Sequence, residues 1–162
     1  PLVPETVGEV RVRGLDLEAR AEVMENLSVT AAYAFMMSDI VDNGASGNEG
    51  NELARVPNHL ASLWVDYTVP TIGNLGEMTI GAGARYTSSY FLNNSNTLSA
   101  DGAIVFDAAL NYEIQENTTL QFNVSNIFDE KHAVQKNDPL SGFGATFYSP
   151  GRTISATLKH SW

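Results

Sequence analysis

Strict two-residue alternation of apolar and polar side chains runs through most of this chain and leaves little room for anything but β-strands. From Leu15 onward, Leu15, Leu17, Ala19, Ala21 and Val23 share one phase, and Asp16, Glu18, Arg20 and Glu22 share the other. A strand sends successive side chains to opposite sides, so this run describes a strand with one apolar and one polar face. The pattern returns in Leu27–Phe35, Ala61–Val69, Met78–Tyr86, Phe106–Glu113, Leu120–Ser125 and Ile154–Trp162. Helical spacing is hard to find. The chain is expected to be all-β, with about seven long strands.

The connections alternate in length. Met24–Asn26, Thr71–Gly76 and Gln115–Asn117 are short and carry the Asn and Gly that tight turns need. Val41–Asn58, Asn93–Gly102 and Glu130–Pro150 are long, rich in Asn, Gly, Ser and Asp, and without periodicity. Strands joined by a few residues pair as antiparallel neighbours, so an up-and-down meander is expected. All short turns then fall at one end and all long loops at the other.

Periodicity alone does not say what the apolar face meets. It packs inward in a soluble barrel or sandwich and faces lipid in a transmembrane barrel. Three features favour lipid. The runs approach the roughly 9–11 residues that cross a bilayer at a tilt, against a soluble average of about 5–6. Short turns opposite long loops are the outer-membrane arrangement. Aromatic residues also cluster near strand ends: Tyr33, Phe35, Tyr86, Tyr90 and Phe106 toward the long loops, and Tyr67, Tyr112, Phe122 and Trp162 toward the short turns. Such pairs of girdles mark lipid-facing surfaces. A soluble β-barrel or sandwich binding a small ligand stays open as the alternative. A small self-contained membrane barrel is less suited, because an odd strand count does not match single-chain bacterial barrels.

Composition removes several classes of function. Nineteen acidic against nine basic residues give a net charge of -10 over 162 residues, which argues against nucleic-acid binding. There is no cysteine for a disulfide, a thiolate metal site or thiol catalysis. The histidines His59, His132 and His160 are scattered, and Gly44-Ala45-Ser46-Gly47 lacks the spacing of a nucleophile elbow. The acidic stretch Asp39–Gly44 fails as a calcium loop: Val41 takes the third ligand position and Gly50 stands where a bidentate Glu belongs. Asp16, Glu18 and Glu22 read as the lining of a water-filled lumen. No enzyme, metal site or cofactor is expected. The start Pro1-Leu2-Val3-Pro4 has neither an initiator Met nor a signal sequence, so the chain is expected to be a piece of a longer protein.

Several segments carry a family resemblance: Arg13–Glu18, Arg55–His59, Gly81–Tyr86, Phe106–Tyr112, Gly151–Ile154 and, most specifically, Asn123–Lys131. In order and spacing they resemble the C-terminal third of the β-barrel of TonB-dependent outer-membrane siderophore receptors, in the ferrichrome-type branch. The resemblance spans nearly the whole chain and implies a transmembrane barrel of about 22 strands with a plugged lumen. Residues 1–162 would supply its last strands, with the plug domain and TonB box absent. It further implies active transport of ferric siderophores across the outer membrane of a Gram-negative bacterium. The implied partners are the siderophore, outer-membrane lipid, and TonB through the missing N-terminal part. Trp162 stands where the family usually ends in Phe.

The candidate ligand contacts are Tyr90, Phe91, Phe143, Phe147 and Tyr148, aromatics in or near the long loops, with Arg85 as a lone interior cation able to anchor chelate oxygens. Asp107, Asn111, Gln121, Asn123, Thr153 and Thr157 alternate into the interior. Gly81 and Gly83 on that face either admit another backbone closely or permit curvature. Asn126 breaks the apolar phase after Val124, so the strand is expected to bulge or leave the bilayer there. Finally, the alternation of Ile154, Leu158 and Trp162 to the last residue resembles the signal read by outer-membrane assembly machinery.

Overall fold

The computed structural model describes residues 8–44, 47–70, 76–136 and 145–162. Seven long strands form one antiparallel sheet: β1 (Glu9–Met24), β2 (Leu27–Asp42), β3 (His59–Val69), β4 (Met78–Thr87), β7 (Ala103–Gln115), β8 (Thr118–Ser125) and β11 (Thr153–His160). Four short strands decorate the long loops. β5 (Tyr90–Phe91) pairs with β6 (Ser99–Ala100), and β9 (Ala133–Lys136) with β10 (Thr146–Tyr148). Neighbours in the large sheet follow chain order, so the fold is the expected meander, left open between β1 and β11.

The turns explain the pairing. Asn26 closes the β1–β2 turn at φ 63° and Asn117 the β7–β8 turn at φ 62°. Asparagine tolerates this left-handed conformation better than most residues, and such turns match the twist of a hairpin. From these turns the register runs unbroken up most of each pair: Ala21 faces Val29, Leu17 faces Tyr33, and Leu110 faces Phe122. Apolar residues therefore share one side across all seven strands. Among the described residues no second large sheet covers that side, as a soluble sandwich would require.

β1 and β2 are each 16 residues long, well beyond a bilayer crossing. At Gly14 the phase of β1 changes sign without a bulge. Below it Leu15 and Leu17 point outward, whereas above it Glu9, Arg11 and Arg13 take the outward phase and Val10 and Val12 the inward one. A change of solvent is what the expected transmembrane barrel implies here: beyond the apolar band the outer side of a strand would meet water and headgroups. Aromatic rings mark the boundary. Tyr33 and Phe35 gather around His59, whose Nδ1 lies 2.8 Å from the Tyr33 hydroxyl, and Phe106 meets Phe128 edge-on at 5.3 Å. Tyr90 stands apart from this girdle, because it lies in the small β5–β6 hairpin.

On the polar face the space left by the two glycines is taken by a side chain, not by another backbone. Trp64 of β3 lies across Gly81 and Gly83 of β4, so that a Cβ on Gly81 would come within 2.6 Å of the indole. The indole N–H donates to Asp66 Oδ1 at 2.8 Å. The glycines make room for a ring from their own sheet, which covers backbone that they leave bare.

Candidate functional site

Among the described residues, the polar face and the long-loop end offer several hollows, three of which hold candidate residues. One, of about 640 Å³, runs along the polar face of β1–β4, with Asp16 and Glu18 on one wall, Ala32, Ala34 and Ser62 on the floor, and Arg85 opposite. The small floor residues open the space. The carboxylates of Asp16 and Glu18 make one side acidic.

Arg85 is not the lone cation expected from the sequence. Its Nε donates to Asp107 Oδ2 at 2.7 Å and a terminal nitrogen donates to Oδ1 at 3.2 Å. Asp107 sits opposite Gly83 in the register, one diagonal step from Arg85, where a long side chain reaches it. Asp107 Oδ1 also accepts from the Ser125 hydroxyl at 2.8 Å and the Asn126 N–H at 2.9 Å. One carboxylate thereby ties β4, β7 and the end of β8 together. With its charge already paired, Arg85 presents guanidinium edge and stem to the hollow, not a free anchor.

Tyr90 and Phe91 line a second hollow of about 520 Å³, bordered also by Glu52, Ser88, Ser99 and Asp101. Two long loops form it together. Tyr148 lines a third, of about 240 Å³, with Asp101, Lys131 and His132. Phe147 is exposed beside it on β10, opposite Gln135, and Phe143 lies outside the described residues. The candidate residues thus divide among three places, with Asp101 shared by the second and third. Their common location is the long-loop end.

The segment Asn123–Lys131 has a structural explanation. β8 stops at Ser125, and Asn126 turns to φ 57° with only 5% of its surface exposed. Its Oδ1 accepts from the Glu130 N–H at 2.8 Å, while its Nδ2 donates to the carbonyls of Glu130 at 2.8 Å and Pro150 at 3.1 Å. Asp129 Oδ1 accepts from the Arg152 N–H at 2.8 Å. That bond, helped by the charge of Lys131, holds the Asp129 carboxyl below the usual carboxylate range. The motif is a latch fastening the end of β8 to the start of β11. It accounts for the expected departure of Asn126 from the strand.

Ile154, Leu158 and Trp162 follow the outward phase of β11, with Ile154 beside Val124 and Leu158 beside Leu120. The strand was expected to reach the last residue, yet it ends at His160, because its partner β8 begins at Thr118. One further rung forms, from the Ser161 N–H to the Asn117 carbonyl at 3.0 Å. Trp162 then folds against His160 at 5.4 Å, and His160 Nδ1 lies 2.8 Å from the Thr118 hydroxyl.

Sequence reasoning passed over Trp64, Asn94 and Asn96. An aromatic on the polar phase two residues before Asp66 was the available signal for the first. The asparagines looked like ordinary turn residues.

Known proteins share this arrangement. Residues 1–127 match the family model described as "TonB dependent receptor-like, beta-barrel". The ferrichrome outer membrane transporter/phage receptor of Escherichia coli is 32% identical over 77% of this chain and 17% of its own length. The ferrioxamine receptor of Yersinia enterocolitica is 32% identical over 96% of this chain and 21% of its own. In fold, the chain superposes on the ferric yersiniabactin uptake receptor FyuA of Yersinia pestis with a TM-score of 0.82 at 18% identity, covering 95% of this chain and 24% of that one. The chain therefore spans about a fifth of the length of the curated relatives it matches. With an apolar outer row, a polar inner face and this match along most of its length, the chain belongs to the β-barrel family of TonB-dependent outer-membrane receptors.

Proposed function

We propose that this chain is the C-terminal part of the barrel of a receptor that carries ferric siderophores across the outer membrane, with plug domain and TonB box preceding it. The soluble binding module is not favoured. The observation that supports transport best is the division of the sheet into a lipid-type face and a polar face bearing a hollow of about 640 Å³, in a chain whose relatives include ferrichrome and ferrioxamine receptors. In this reading the barrel wall lines the route, the long loops face outward, and TonB acts on the plug rather than on these residues.

The test uses the full-length receptor in outer-membrane vesicles, titrated with a ferric trihydroxamate. Binding is the expected result, and Tyr90→Ala with Phe91→Ala should weaken it about tenfold by removing ring area that packs on the chelate. Absence of binding to every class of ferric chelate would sink the transport reading. Unchanged affinity in the double variant would remove only the β5–β6 hairpin from the ligand site.

The last strand is proposed to serve assembly. Ile154, Leu158 and Trp162 present an amphipathic edge to which an assembly machine can add a strand before the barrel closes. Deletion of Trp162 in the full-length receptor is expected to lower the amount inserted in the outer membrane while synthesis stays constant. Wild-type insertion rates after deletion would refute this role.

A further inference from the structure

We propose that residues 47–58 of the β2–β3 loop and the β4–β7 loop behave as one rigid unit, a preformed wall at the outer mouth, rather than as two independently moving flaps. Among the described residues, at least five hydrogen bonds cross between loops some forty residues apart in the chain. The side-chain amide of Asn96 meets the peptide group of Glu52 at both ends: Glu52 N–H donates to Oδ1 at 2.8 Å, and Nδ2 donates to the Glu52 carbonyl at 2.9 Å. This is the double bond pattern that one strand offers another, supplied here by a side chain. Beside it, Ala54 N–H donates to Asn94 Oδ1 at 3.0 Å and Asn51 Nδ2 to the Asn94 carbonyl at 2.9 Å. The Arg55 N–H completes the seam on the Phe91 carbonyl at 2.7 Å.

Each half of the seam is itself fixed. The first loop runs along the edge of β2, exchanging bonds with Ile40 through the Gly50 N–H at 2.9 Å and the Asn51 carbonyl at 3.0 Å. In the second, Asn93 Oδ1 accepts from the N–H groups of Thr97 and Leu98, which sets the tight turn presenting Asn96 at φ 54°. Ile40, Leu92 and Ala100 are buried to 2%, 5% and 1% exposure, so apolar contact supports both halves. Opening one loop leaves peptide groups of the other without partners. That cost makes joint opening the cheaper route.

Hydrogen exchange of the full-length receptor tests this, with Asn96→Gly removing the amide while keeping the left-handed backbone free of strain. Amide exchange is expected to accelerate about tenfold at Glu52 and equally at Ala54, whose own acceptor Asn94 is untouched. Acceleration confined to Glu52 and residues 93–98 would overturn the proposal. Asn94→Ala provides the reciprocal measurement if the first variant does not assemble. It should release Ala54 directly and Glu52 through the unit, and an unaltered Glu52 would count against the proposal in the same way.

Discussion

Asn126→Ala is expected to cost about 3–5 kcal/mol in the opening free energy of the segment joining β8 to β11. Three side-chain hydrogen bonds disappear with the amide, each worth about 1 kcal/mol and more where a buried partner is left unpaired. Alanine must also hold the φ of 57° that asparagine tolerates, at a further cost of roughly 1–2 kcal/mol. Asn126→Gly separates the two effects, because glycine removes the bonds but not the backbone freedom, and should recover about that second amount. The measurement is amide exchange at Glu130 and Arg152 in the full-length receptor. Wild-type exchange at both amides in the alanine variant would show that the latch does not hold the loop.

Leu110→Arg should lower the folding free energy of the receptor in lipid by about 2–4 kcal/mol. Leu110 lies on the outward row of β7 between Phe106 and Tyr112, flanked in the sheet by Ile80 and Phe122. An arginine there puts a charge among acyl chains with no acidic partner in the same row. The neighbouring Asn111→Arg change sends the same charge to the polar face and should cost less than about 1 kcal/mol. Denaturant titrations of both variants in vesicles would measure the difference. Equal losses would mean that the two faces are not distinguished by lipid.

The part of the fold legible in the sequence is the part that crosses the membrane. There a single rule, apolar outward, holds along each strand, with polar or small residues and Trp64 on the inner phase, so the alternation of Leu15–Val23 or Met78–Tyr86 needs no further context. Above the bilayer the outer side is wet and the rule lapses. Val10 and Val12 then fall on the opposite phase, and the first turns of β1 and the last of β2 escape notice. β5, β6, β9 and β10 are too short to show any period.

The sites were less legible for a different reason. Arg85 could be placed on the inner face by counting, but its partner Asp107 lies 22 positions away and becomes a neighbour only through the β4–β7 register. The same holds for Asn96 and Glu52, which meet through loop closure and not through any local pattern. Asn123–Lys131 was recognisable as a family segment, while its purpose became visible only with the carbonyl of Pro150 in place.

The two tryptophans of this chain stand on opposite sides of one sheet. Trp64 rests on glycine backbone facing the interior, and Trp162 folds against His160 on the outward phase. In a receptor whose tryptophans outside this segment are replaced, a brominated acyl chain is expected to dim the emission of Trp162, and a quencher confined to the lumen that of Trp64.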